Sequence, residues 1–254
     1  MASSDSLIGI FDSGVGGLTV LEEARKRMPN HSFLYFADRA HAPYGEGSKA
    51  KTLELTLDCV AFMEPLGLSG LVLACNTATS AAVKELRNRY DFPVIGMEPA
   101  VKPAVERGEG KVLVLATPLT LREEKFKKLV QQIDKEGKVD GVGMPDLVRL
   151  AENGLFNGEE VQRYLKQQLG HVSWEDYSAV VLGCTHFIYF REALKALVPD
   201  HVAIIDGNEG TVRRLMDQVD HKTPGTTEDQ FYDSKQLVAP SYFGKWLAYL
   251  HAHD

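Results

Sequence analysis

Cys75 and Cys184 occupy matched settings in the chain. Cys75 closes the apolar run Leu71-Val-Leu-Ala74 and is followed by Asn76-Thr77; Cys184 closes Val180-Val-Leu-Gly183 and is followed by Thr185-His186. In each case a short buried strand ends and a helical pattern begins. Ligands of open parallel sheets bind beyond the strand C-termini. A thiol placed there also meets free N–H groups and the positive end of a helix dipole. Such help matters for a base, because an ordinary thiol of pKa ~8.5 is only about 3% ionised at neutral pH. Two opposed thiols, one ionised and one protonated, can take a proton from one face of a tetrahedral carbon and return one to the other. Disulfide redox chemistry is the rival, but it needs the two cysteines close in sequence or in contact. The third cysteine, Cys59, lies inside a helical pattern and reads as a small buried hydrophobe.

Other groups gather at similar places. Asp12-Ser13-Gly-Val-Gly-Gly17 follows the first apolar run, where glycines let the backbone turn and present N–H groups to an anion. Thr19 stands where a dinucleotide fingerprint wants its third glycine, and no Walker loop is present. Asp12 would repel phosphate and welcome an ammonium group, or it could simply cap the helix. Asp38 and Pro43-Tyr44-Gly45 lie in the loop after the second run. Asn76, Thr77 and Thr185 offer neutral donors to a carboxylate, with helix capping as the alternative. His186 could bond the Cys184 thiol or shuttle its proton. Glu152 is placed by periodicity on a solvated helix face.

The elements that must hold these residues alternate. Short runs at 7–11, 33–36, 71–74, 94–95, 112–116, 139–142, 180–182 and 202–205 read as buried strands. Helical patterns occupy 18–28, 48–64, 79–90, 119–133, 159–169 and 187–197, with a polar loop at 225–228 and an aromatic-rich helix at 242–251. Such alternation implies an α/β fold of mostly parallel sheets flanked by helices. The chain also echoes itself. Cys75 and Cys184 are 109 positions apart, while Asp12 and Thr117, each at a strand end, are 105 apart. Two similar halves or a coincidence of ordinary strand–helix units would both give this pattern. The tail aromatics Tyr242, Phe243, Trp246 and Tyr249 are spaced for packing on the first half.

Composition removes several classes. A net charge of −7 argues against a nucleic-acid or anionic-membrane partner. Arg122, Lys125, Lys127 and Lys128 sit among Glu123 and Glu124, as on a solvated helix face. No apolar run approaches the ~20 residues of a membrane span, and Met1–Ser6 does not read as a secretory signal. Three cysteines without a C-x-x-C pair argue against a disulfide framework or a thiolate zinc site. The expectation is a cytoplasmic protein with reduced thiols. A nucleotide-dependent oxidoreductase and a silent binding protein for an acidic amino acid remain alternatives at this point.

Taken together, Phe11-Asp-Ser-Gly-Val-Gly-Gly17, Pro43-Tyr-Gly45, Ala74-Cys-Asn-Thr-Ala78 and Gly183-Cys-Thr-His186 resemble the glutamate racemases of the aspartate/glutamate racemase superfamily. Histidine after Gly-Cys-Thr favours the glutamate branch. The resemblance implies two pseudosymmetric α/β domains with the site in the cleft between them. One would be 1–97 plus 207–254 and the other, inserted, 98–206. It implies interconversion of L- and D-glutamate with no cofactor and no metal, supplying D-glutamate for peptidoglycan, by a protein that is often a homodimer. It implies Cys75 as the base acting on D-glutamate and Cys184 as the base acting on L-glutamate. Asp12 would assist Cys75, and His186 with Glu152 would assist Cys184. Ser13, Asp38, Pro43, Tyr44, Gly45, Asn76, Thr77, Thr117 and Thr185 match pocket positions. Ile188-Tyr189, Met144 and Asp206-Gly-Asn208 depart from the usual pattern, which leaves the pocket shape near Tyr189 open.

Overall fold

Six consecutive residues of the first strand, Leu7–Asp12, are all buried, which requires cover on both faces. The computed structural model, describing residues 7–97, 99–108, 110–219 and 228–253, supplies that cover with helices. The polar loop expected at 225–228 lies, but for its last residue, outside the described residues. Among the described residues ten strands form two sheets. They are β1 Leu7–Asp12, β2 Ser32–Ala37, β3 Leu68–Leu73, β4 Val94–Gly96, β5 Lys111–Ala116, β6 Val139–Gly143, β7 Tyr177–Leu182, β8 Ala203–Ile205, β9 Gln230–Asp233 and β10 Gln236–Val238. The sheet orders are β10-β9-β2-β1-β3-β4 and β6-β5-β7-β8, parallel throughout except for the β9–β10 hairpin.

The helices are α1 Leu18–Arg27, α2 Lys49–Met63, α3 Asn76–Arg89, α4 Val101–Arg107, α5 Pro118–Arg122 and α6 Glu124–Ile133. They continue with α7 Pro145–Glu152, α8 Glu159–Leu169, α9 Arg191–Lys195, α10 Asn208–Met216 and α11 Gly244–Ala252. Helix α10 packs on α1, β3 and β4, so the chain returns to the first sheet after β8. Among the described residues no helix is long and apolar enough to cross a membrane.

The internal echo is structural. The order β2-β1-β3-β4 is matched element for element by β6-β5-β7-β8. Even the irregularities agree: the pairing of β1 with β3 skips Ser69, and that of β5 with β7 skips Ser178. Cys75 follows β3 and Cys184 follows β7, while Asp12 ends β1 and Thr117 follows β5. Both sheets contribute to one shared apolar core, in which Ile8 and Ile10 meet the same cluster as Leu113, Leu115 and Phe187.

Three elements differ from expectation. The helix expected at 119–133 breaks at Glu123, whose backbone is extended and whose buried carboxylate takes Lys49 Nζ at 2.6 Å. Glu123 therefore does not belong to a solvated face. The helix expected from Phe187 is a 3-10 segment, Thr185–Phe190, before α9. The hairpin β9–β10 was not expected, because Ser234-Lys235 replaces the usual Asn-Gly at a turn with φ of 48° and 71°. Of the tail aromatics, Phe243 and Trp246 are buried in the shared core and Tyr249 packs on Phe156, but Tyr242 stays 46% exposed.

Candidate active site

Cys75 caps α3 and accepts the Ala78 N–H at 3.4 Å, with Ser13 Oγ also 3.4 Å from its sulfur. The helix terminus was expected to favour the thiolate. Burial outweighs it: desolvation, with the charge of Asp12 adding to it, pushes the Cys75 thiol up to about 12 despite Ser13 and Ala78. A charge on Cys184 adds a smaller repulsion.

Asp12 lies between the halves. Its Oδ1 accepts the Gly14 N–H at 2.8 Å, and its Oδ2 accepts the Thr185 hydroxyl at 3.0 Å. Complete burial raises its carboxyl to about 6, against the pull of His186 and these two donors.

A chain of polar contacts runs behind the second cysteine. Cys184 Sγ lies 3.8 Å from His186 Nδ1, and His186 Nε2 lies 2.7 Å from Glu152 Oε1. Glu152 Oε1 also accepts the Val15 N–H at 2.7 Å, while Oε2 accepts from Arg39 Nε at 2.9 Å. Burial opposes charge on both partners, yet His186 is held well above the ordinary imidazole value by Cys184 and Glu152. Burial likewise opposes the Glu152 carboxylate, yet its donors His186, Val15 and Arg39 keep it below the ordinary value. Periodicity had placed Glu152 in solvent; tertiary contacts place it, largely buried, among these groups instead.

Neutral hydroxyls close the seam. Thr77 Oγ1 is 3.2 Å from Thr117 Oγ1 and 3.4 Å from Thr120 Oγ1, and the last two are 2.9 Å apart. A Cβ on Gly45 would stand 2.5 Å from Thr117 Cβ. Asn76 donates to the Met97 carbonyl at 3.5 Å, leaving its own oxygen buried without a partner. Asp38 accepts the Tyr44 hydroxyl at 2.6 Å and contacts His41 Nδ1 at 2.9 Å. Pro43 follows a cis peptide bond. Among the described residues no three His, Cys, Asp or Glu are arranged to hold a metal ion.

The sequence model of the Asp/Glu/Hydantoin racemase family matches residues 19–215. The chain belongs to this family. It is 51% identical over 233 residues to the glutamate racemase of Halothermothrix orenii, covering 89% of this chain and 92% of that one. Identity to the glutamate racemase of Campylobacter curvus is 43% over 258 residues, covering 96% and 97%. The solved structure of Escherichia coli glutamate racemase in complex with L-glutamate superposes with a TM-score of 0.83 at 30% identity, covering 98% of this chain and 95% of that one.

Sequence reasoning missed several groups that shape the site of this racemase. Thr120, one helical turn after Thr117, was findable from capping spacing. Arg39 carries no signal beyond its place next to Asp38. Tyr35 donates to the Gly14 carbonyl at 2.5 Å, and Tyr189 donates to the Val15 carbonyl at 2.9 Å. The departure at Ile188-Tyr189 thus anchors the glycine turn from the opposite half. Met144, another departure, is fully buried in the shared core.

The raised Asp12 carboxyl makes stability and charge oppose each other in this racemase. The folded chain favours the neutral acid, so the penalty is absent below pH 3.8 and complete above about 6. Asp12→Asn is expected to stabilise the fold by about 3 kcal/mol at neutral pH, since a pKa unit corresponds to about 1.4 kcal/mol. Thermal unfolding checks this: Tm rises by several degrees near neutrality and hardly at all near about pH 4. An equal gain at both pH values would show that the carboxyl charge is not the cause.

Proposed function

We propose that this racemase interconverts L- and D-glutamate by passing the α-proton between Cys75 and Cys184 on opposite faces of the substrate, with no cofactor. One observation carries the reading. Two thiols from equivalent strand ends are buried at one seam, Cys75 beside Ser13 and within reach of the Asp12 charge, Cys184 beside His186 and its partner Glu152. In this reading Asp12 and Ser13 serve Cys75, and His186 with Glu152 serves Cys184.

In the L to D direction Cys184 acts as thiolate beside an imidazolium and takes the Cα proton. Electrons of the broken C–H bond pass into the carboxylate as enolate-like charge. Cys75, a thiol in the resting state, returns a proton to the other face. Cys184 is then a thiol and Cys75 a thiolate, the starting state for the reverse direction. The substrate ammonium offsets the burial and Asp12 charge that otherwise disfavour the Cys75 thiolate. Neutral donors from Ser13, Thr77, Thr117, Thr185 and Asn76 surround the developing charge, the threonine hydroxyls turning toward it from Asp12 and from one another. Asn76 has the unpaired oxygen that a substrate donor would satisfy. The cysteines are 6% and 7% exposed, so substrate enters when the halves part, and closure removes water.

The matched sheets support a division into 1–97 plus 207–254 and 98–206. Relatives named glutamate racemase support D-glutamate supply for peptidoglycan in the cytoplasm as the role. A net charge of −7 supports the absence of a nucleic-acid partner. The homodimer belongs to the same reading and is tested by sedimentation.

Incubation of each enantiomer in deuterated water tests the reaction. Optical rotation decays to zero from either side, and deuterium appears at Cα of the inverted product. Absence of α-proton exchange from both enantiomers would sink the reading, and preference for another acid in a substrate panel would move the substrate assignment. Dialysis against a chelator and treatment with a carbonyl scavenger are expected to leave the rate unchanged; loss of activity on either would contradict the cofactor-free mechanism.

A pH profile gives a further check. The equilibrium constant between enantiomers is unity, so kcat/KM is the same in both directions at every pH. Both are expected to fall together as Asp12 protonates near about 6. A profile flat down to about pH 4 would remove Asp12 from the proton path.

A further inference from the structure

We propose that Arg39 is a positioning residue for the Cys184 half of the reaction, holding the Glu152 carboxylate against His186 while the two halves are closed. The proposal rests on the two-base reading above. Arg39 lies in the 3-10 turn Arg39–His41 after β2, whereas Glu152 ends α7 beside the second sheet. Arg39 Nε donates to Glu152 Oε2 at 2.9 Å, and Nη2 reaches the Glu152 carbonyl at 3.5 Å. Each carboxylate oxygen is therefore committed: Oε1 to His186 and the Val15 N–H, Oε2 to the guanidinium. Both Arg39 and Val15 belong to the first half. Parting the halves strips Glu152 of these two donors and leaves it only the imidazole.

Arg39 is itself fixed. Its Nη1 donates to the Tyr242 hydroxyl at 3.2 Å, Asp233 lies 3.7 Å away, and its guanidinium sits 5.1 Å from the centre of the Trp246 ring. Trp246 Nε1 in turn donates to the Ala151 carbonyl at 2.7 Å, so the C-terminal helix braces cation and carboxylate together. A planar fork over an aromatic ring suits arginine and not lysine. The titratable groups facing Glu152 are His186 and Arg39, with Asp12, Tyr35 and Tyr189 close enough to feel its charge. Those facing Arg39 are Glu152, Asp233 and Tyr242. Two other ion pairs cross the same seam, Glu46–Arg149 at 2.7 Å and Lys49–Glu123 at 2.6 Å, but neither ends on a group of the relay.

Arg39→Met and Arg39→Lys, compared with the wild type in deuterated water from each enantiomer, test the assignment. The Met variant is expected to lose about 10- to 100-fold in kcat, the scale of a misplaced catalytic group. Its KM stays within about twofold, because Arg39 makes no substrate contact in this reading. From D-glutamate, exchange without inversion gains on inversion, since the Cys75 side is untouched. Lysine restores part of the rate through one contact. Wild-type kcat and unchanged partitioning in the Met variant would overturn the Arg39 assignment alone. So would parallel loss of exchange and inversion with a lowered Tm, which marks general destabilisation. A wild type that exchanges no α-proton would overturn the two-base reading and this proposal with it.

Discussion

With Cys184 replaced by serine, D-glutamate in deuterated water is expected to gain deuterium at Cα without inverting, while racemisation falls by about a thousandfold or more. Cys75 can still remove the proton, exchange it with solvent and return deuterium to the same face. The opposite face is blocked, because a serine hydroxyl beside His186 is far less acidic than a thiol and donates poorly to a carbanion. Cys75→Ser is the mirror case, with exchange retained from L-glutamate and lost from D-glutamate. The unit equilibrium constant requires each variant to lose kcat/KM equally in both directions, so overall rates cannot distinguish the two cysteines. Only exchange without inversion reports which face each one serves. Undiminished racemisation by either variant would end the two-base assignment. Exchange from the wrong enantiomer would reverse the roles of Cys75 and Cys184.

Gly14→Ala is expected to cut kcat/KM by about a hundredfold or more without touching any proton-carrying group. A Cβ at this position would overlap Glu152 Oε1 and stand 2.8 Å from its Cδ and 3.0 Å from His186 Nε2. Relief requires the carboxylate to leave the imidazole or the halves to stay apart, and either breaks the relay behind Cys184. Gly16→Ala acts on the same seam, with Cβ 2.6 Å from His186 Nδ1 and in overlap with the Thr185 hydroxyl. Gly210 is the control: it lies in α10 with nothing within 4 Å of an added Cβ. Gly210→Ala is expected to stabilise by about 0.5–1 kcal/mol and leave activity unchanged. Steady-state kinetics with thermal unfolding measures all three. A Gly14 variant with wild-type kcat/KM would mean that close approach of the glycine turn to Glu152 is not needed for turnover.

The glycine turn shows why its sequence signal was ambiguous. Asp12-Ser-Gly-Val-Gly-Gly17 could be read as anion-binding backbone, since glycines after a strand commonly expose N–H groups. In the fold, the absent side chains make room for Glu152, Thr185 and His186 of the other half. The Val15 N–H does meet an anion, but it is the protein's own Glu152. Sequence locates a glycine; only the packed partner says what it makes room for.

Local order dictated much of this protein. Eight strand cores, the parallel α/β class and both cysteines at strand ends were legible, because each depends on apolar runs and breakers within a few residues. The repeat was legible too, since matched strand ends leave matched spacings at Cys75 and Cys184. The β9–β10 hairpin, the break at Glu123 and the burial of Glu152 were not. Each is decided by a partner far along the chain: β2 for the hairpin, Lys49 for Glu123, and Val15, Arg39 and His186 for Glu152. Protonation belongs to the same class. Spacing put Cys75 at a helix terminus that favours its thiolate, yet burial and the Asp12 charge outweigh that terminus; burial comes from the packed fold, and the Asp12 charge from the pairing of β1 with β3, whose strand ends lie far apart in the chain.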